Sequence, residues 1–134
     1  MISKRRFHLT NPVGKRGEDE ATRYLLTLGY RVLERNYRND SGKALGEIDI
    51  VAKDGDMFVF VEVKTRSADA TMRTEPLPEQ GITRDKLRKL ERIGAAYLRE
   101  RRKTNAPYRF DAILIVLFGP AQAPEIRHFE SIFL

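Results

Sequence analysis

The chain has no cysteine among its 134 residues, and only two histidines. The missing thiols exclude disulfides, thiolate metal sites and cysteine nucleophiles. The histidines, His8 and His128, lie near opposite ends and have no zinc-type spacing. His8 is expected in a mobile tail and His128 on a strand surface. Glycine-rich phosphate loops of the P-loop or dinucleotide kind are absent. No apolar run is long enough to span a membrane. The first residues, MISKRRFHLTNPVGKRGEDE, are basic but lack the apolar core of a secretory signal, so the cytoplasm is the expected location and no membrane partner is expected.

What the chain does have is an ordinary globular balance, 41% hydrophobic and 33% charged residues. Its length suits one domain with a real core. Residues 1–11 read as a basic flexible tail and 12–134 as a single domain. The net charge is +6 and is unevenly placed: residues 84–103 hold nine Lys/Arg against three Asp/Glu, so one segment carries the whole surplus. A concentrated basic segment suits a polyanion such as nucleic acid. A solvated helix face gives the same pattern.

The most informative stretch is GEIDIVAKDGDMFVFVEVK, residues 46–64. Asp-Gly between two apolar runs is a hairpin signal. With Asp54 and Gly55 as a two-residue loop, Asp49 faces Phe60 and Glu47 faces Glu62. Period-two alternation then puts Glu47, Asp49, Glu62 and Lys64 on one side. Opposed residues lie about 5 Å apart, close enough for carboxylates to share a divalent cation. The second run is apolar on both faces through Val61, as in an interior strand, yet it ends in a carboxylate and an ammonium. Like charges opposed in a sheet are destabilising, and a cation would resolve them. A solvated strand end with Lys64 pairing the acids is the competing reading.

The remaining elements follow from local signals. Residues 12–28 read as a helix, with Asn11 as cap, Pro12 in the first turn and Gly29 as stop. Its apolar stripe is Val13, Ala21, Leu25 and Leu28, with Tyr24 beside it. Gly14 and Gly17 suit close packing or substrate approach. Residues 30–37 alternate as a strand, and 38–42 form a turn. Residues 67–82 carry Pro76, Pro78 and Gly81 without periodicity, as a long loop does. Thr83 caps a second helix whose stripe is Leu87, Leu90, Ile93 and Tyr97. Residues 109–118 form another apolar strand containing Asp111, a strand-end hydrogen-bond partner or a supporting acid. Residues 126–133 form an edge strand. The order is αβββαββ.

An acid on one strand followed about a dozen residues later by Glu-x-Lys on the next resembles the PD-(D/E)xK nuclease superfamily. Here those residues are Asp49 and Glu62-Val63-Lys64. More closely, Gly14-x-x-Gly17-Glu18, Gly46-Glu47-Ile48-Asp49, Phe60 to Arg66, Ile82-Thr83-x-x-Lys86 and Arg109-Phe110-Asp111 resemble the YraN-like family. That is a family of small bacterial proteins regarded as candidate endonucleases. Ile48 stands where the superfamily usually has proline. The resemblance implies an α/β, restriction-endonuclease-like αβββαβ core with a mixed central sheet flanked by helices. It implies a Mg²⁺- or Mn²⁺-dependent endonuclease acting on DNA, including branched or repair intermediates. Asp49 and Glu62 would be metal ligands together with the Val63 carbonyl. Lys64 would position or activate water, and Glu18 would supply a further catalytic acid. Lys86 matches a phosphate-contacting helix position. Arg66, Arg88, Lys89 and Arg92 complete the expected nucleic-acid surface, and a homodimer is left open. A non-catalytic nucleic-acid-binding module of the same fold, and a scaffold in a larger complex, stay beside this reading.

Overall fold

The computed structural model describes residues 12–39, 46–68 and 83–132. The expected tail, the Asn11 cap, residues 40–45 and most of the 67–82 loop lie outside them. Among the described residues, two helices and five strands follow in the expected order: α1 Pro12–Thr27, β1 Arg31–Arg38, β2 Glu47–Asp54, β3 Met57–Ser67, α2 Arg84–Glu100, β4 Tyr108–Leu117 and β5 Glu125–Phe129. The strands form one mixed sheet in sequential order, with β3 and β4 parallel and the other neighbours antiparallel. Among the described residues no helix is long and apolar enough to cross a membrane.

The two faces of the sheet carry separate cores. Ala21 and Leu25 of α1 pack with Ile50, Ala52, Val59, Val61, Ile113 and Ile115. On the opposite face, Leu90, Ile93 and Tyr97 of α2 pack with Val51, Phe58, Phe60 and Phe110. Both faces of β3 are therefore covered, which explains its unbroken apolar run. The stripe expected of α2 is buried, although Leu87 is only partly so, and Thr83 caps the helix by accepting the Lys86 N–H at 3.2 Å. The stripe expected of α1 is narrower. Val13 and Leu28 are exposed because they lie at the helix ends, and Gly17 takes a buried place between them.

At Gly17, α1 packs closely against Thr65 of β3. A methyl group there would lie 1.8 Å from Thr65 Oγ1. Gly17→Ala should therefore push α1 off β3 and lower stability by about 1–3 kcal/mol, even though alanine favours the helix by up to about 1 kcal/mol. Urea denaturation measures it. A variant at or above wild-type stability would show that the helix shifts without loss.

The hairpin differs from its expected register. Asp54 pairs with Met57, so the loop is Gly55-Asp56, and Phe60 faces Val51 rather than Asp49. Gly55 adopts φ +59°, taking the left-handed position at the start of the loop. The offset is two residues, so side-chain faces are preserved. The β2–β3 pairing ends at Ile50 with Val61, and Asp49 comes one step beyond, level with Glu62.

Candidate metal and phosphate site

The site lies where β2 and β3 part. Residues two apart on a regular strand share a face, yet Ile50 packs on the α1 side and Ile48 on the α2 side. The alternation breaks at Asp49. Opposite it on β1, between the pairs Arg35–Ile50 and Tyr37–Ile48, stands Asn36 with φ +53°, a backbone conformation asparagine tolerates. At this break the Asp49 carboxylate replaces the missing ladder bond: Oδ2 accepts the Val63 N–H at 2.8 Å. A strand residue sends its N–H and C=O to the same side, so the Val63 carbonyl also faces this gap.

Glu62 and Lys64 follow Phe58 and Phe60 on the α2 face. Glu62 is buried, and Oε2 accepts from Lys86 Nζ at 2.6 Å, with Lys64 Nζ 3.4 Å away. Burial works to lower the proton affinity of Lys86, but the Glu62 hydrogen bond and charge outweigh it, and its pKa is raised. Asp49 experiences the opposite field. Burial, then the charge of Glu62, push its carboxyl up to about 7. The Val63 hydrogen bond opposes this, and Glu18 and Glu47 add to it.

The three carboxylates Glu47, Asp49 and Glu62 do not share one face with Lys64 as expected. Glu47 is drawn toward β1, accepting from Arg38 Nε at 3.4 Å and Asn36 Nδ2 at 3.3 Å. The same Asn36 amide donates to Glu18 at 3.3 Å, and Arg35 lies 3.5 Å from Glu18. Asn36 thus links Glu18 of α1 to Glu47 of β2. Its signal in the sequence was an asparagine inside an otherwise alternating strand. Among the described residues, no three carboxylates or imidazoles converge on one point as they stand.

The expected nucleic-acid residues divide into groups. Lys86 is at the site. Arg66 lies further along β3, partly buried and on the Glu62 face by alternation. Arg88, paired with Asp85 at 3.1 Å, and the exposed Lys89 and Arg92 lie along α2. Arg101, in the same basic segment, is exposed but engaged within the chain: it pairs with Glu34 and lies over the Tyr97 ring.

A second polar cluster sits on the α1 face, away from these groups. Asp111 is fully buried. It accepts from Arg109 Nε at 3.0 Å, the Ser131 N–H at 3.0 Å and His128 Nε2 at 2.7 Å. Tyr24 Oη stands 3.0 Å from His128 Nδ1, and Arg109 Nη2 donates to Tyr30 Oη at 2.6 Å. His128 is therefore not a strand-surface residue; its side chain is 7% exposed, covered by Tyr24 of α1. Tyr24 and Tyr30 do more than pack.

A model of the uncharacterised protein family UPF0102 matches residues 17–115, a span that includes Glu18, Asp49, Glu62, Lys64 and Lys86. The chain is 38% identical over 126 residues to a UPF0102 protein of Geobacter sulfurreducens, covering 94% of this chain and 91% of the relative. It is 36% identical to one of Pelotomaculum thermopropionicum, over 90% of this chain and 94% of the relative. A relative from Thermodesulfovibrio yellowstonii is 39% identical, over 90% and 95%.

Proposed function

We propose that this chain, which belongs to the uncharacterised protein family UPF0102, is a divalent-metal-dependent endonuclease that hydrolyses DNA phosphodiester bonds. The observation that carries the reading is a single one. At the parting of β2 and β3, burial of Asp49, then the charge of Glu62 and, more weakly, those of Glu18 and Glu47 push its carboxyl up to about 7. Ionising a carboxylate in such surroundings is unfavourable unless a cation meets it.

The donor set fits a hard cation. Mg²⁺ takes oxygen ligands and is commonly held by one or two carboxylates, with waters and substrate phosphate completing the octahedron. Two carboxylates therefore suffice, and a third convergent acid is not required. Asp49 and Glu62 would hold the ion with the Val63 carbonyl. When bound, it would activate water and neutralise charge on the phosphate.

The chain's own groups supply the rest. In hydrolysis a water oxygen bonds to phosphorus, the phosphorus–sugar oxygen bond breaks, and the departing oxygen takes a proton. Lys64 beside Glu62 can orient the water and stabilise charge on the phosphate. Glu18, tied through Asn36 to Glu47, adds a further acid at the rim. The exposed Lys89 and Arg92, with Arg88, offer a backbone-contacting surface along α2, which favours salt-sensitive binding of weak sequence specificity.

The test is cleavage of labelled single-stranded, duplex and four-way-junction DNA at low salt with Mg²⁺, Mn²⁺ or EDTA. Wild-type protein should cut only with metal, and Lys64→Ala should cut about 10²–10³-fold more slowly. Preference for the junction would favour branched intermediates as substrate. Cutting that persists in EDTA or in Lys64→Ala at the wild-type rate would sink the assignment.

One observation favours a second reading, a DNA-binding module of the same fold that does not cut. Glu62 already has two ammonium partners within 3.4 Å. That reading requires salt-dependent DNA binding, no cleavage with any divalent ion, and binding that survives Asp49→Asn.

A further inference from the structure

Lys86 reaches Glu62 from another layer of the molecule. It belongs to the first turn of α2, stands 24 residues from Glu62 in sequence, and places Nζ 2.6 Å from Oε2. Lys64, on the same strand as Glu62, approaches the same oxygen less closely, at 3.4 Å. The Lys86 side chain is 37% exposed while that of Glu62 is 10% exposed. An ammonium with a flexible stem open to solvent therefore covers a nearly buried carboxylate.

A divalent ion on this oxygen would sit about 2.1 Å from it. An ammonium 2.6 Å from the same atom would then be only a few ångströms from a doubly charged cation. At such separations like charges repel by more than a surface hydrogen bond returns. The two cations exclude one another. Backbone geometry does not hold Lys86 there: Thr83 caps the turn through the Lys86 N–H, which leaves the side chain to swing.

Resting on the metal-site reading above, we propose that Lys86 is a resident counter-ion of Glu62, which the divalent ion must displace and which then turns its ammonium to the incoming phosphate. The metal-poor protein is thereby kept folded and charge-balanced, and metal entry is coupled to arrival of the polyanion. Such coupling is reciprocal: whatever draws Lys86 away tightens the ion, and the ion makes Lys86 available to phosphate.

The experiment is calorimetric titration of the full chain with Mn²⁺ alone, without nucleic acid, comparing wild type, Lys86→Met, Lys86→Arg and Lys89→Met. Lys86→Met keeps an apolar stem and removes the competing charge, so it should bind Mn²⁺ at least tenfold more tightly. Lys86→Arg keeps a cation and should stay near wild type. Lys89→Met removes the same charge from an exposed position of the same helix and should change affinity less than twofold. Equal affinity in wild type and Lys86→Met, or equal tightening by Lys86→Met and Lys89→Met, would overturn the inference and leave the metal site standing. Absence of Mn²⁺ binding in every protein would overturn the metal-site reading and this inference with it.

Discussion

In EDTA, Asp49→Asn is expected to melt well above the wild-type protein at pH 8 and close to it at pH 4, while cutting no DNA in Mg²⁺. The folded chain holds the Asp49 carboxyl at about 7 against an ordinary 3.8, first through burial and then through Glu62. Between those values the folded state keeps a proton that the unfolded chain has released, so stability falls as pH rises from about 4 to about 7. A tenfold change in proton affinity is worth about 1.4 kcal/mol, so removing the charge should return about 2–4 kcal/mol at pH 8. The amide oxygen can still accept the Val63 N–H, which limits other damage. Melting curves at the two pH values, with and without Mn²⁺, measure it. Mn²⁺ should raise the wild-type midpoint and leave that of the variant where it was. A variant less stable than wild type at pH 8 would mean that the carboxylate is a structural anchor, and the case for a cation there would be lost.

Much of the fold was legible because its signals are local. The stripe Leu90, Ile93, Tyr97 repeats with the helical period, and Thr83 caps it. The run Met57–Val61 is apolar on both faces because a helix covers each face of β3. The hairpin register differs from the expected one by two residues, since Asp-Gly marks a turn without saying which residue opens the loop. An error of two keeps parity, so the faces of the paired residues 50–54 and 57–61 are unaffected by it.

The site was legible in its residue types and less so in its arrangement. That Asp49 and Glu62 stand together follows from strand parity. That Asp49 fills a broken ladder does not, because the break depends on the left-handed Asn36 across the sheet. Glu47 was grouped with the other acids by alternation, but that rule stops where the strand stops being regular. The Lys86–Glu62 contact joins two layers 24 residues apart, and no spacing rule reaches it. His128 looked like a surface residue because its neighbours Arg127 and Phe129 give an edge strand no clear inner face. Its burial depends on Tyr24 from the first helix.

Asp111→Ala should be the most destabilising single change considered, with the opposite pH signature from Asp49. It would leave the Arg109 guanidinium, only 16% exposed, beside a nearly buried His128 and a Ser131 N–H that has lost its acceptor. Removing one partner of a buried ionic group costs about 3–5 kcal/mol, because the other is left uncompensated. For a chain of this size that corresponds to roughly 10–20 °C in midpoint, a large part of a total stability of about 5–15 kcal/mol. Asp54 and Glu130 lie 3.8 and 3.9 Å from Arg109 but are exposed, and they can screen the guanidinium only from outside. Burial works to raise the Asp111 pKa, but hydrogen bonds from His128, Arg109 and Ser131 hold it below the ordinary carboxylate value. A depressed folded pKa stabilises the protein above the unfolded value of 3.8, and that contribution disappears as pH falls through the folded one. The deficit of Asp111→Ala should therefore be full at pH 7 and shrink only in strong acid, whereas the gain of Asp49→Asn grows toward alkaline pH. Paired melts of the two variants from pH 3 to pH 8 measure both slopes. An Asp111→Ala midpoint within a few degrees of wild type at pH 7 would mean that Arg109 finds a solvated partner, and the cluster would not be what joins α1, β4 and β5.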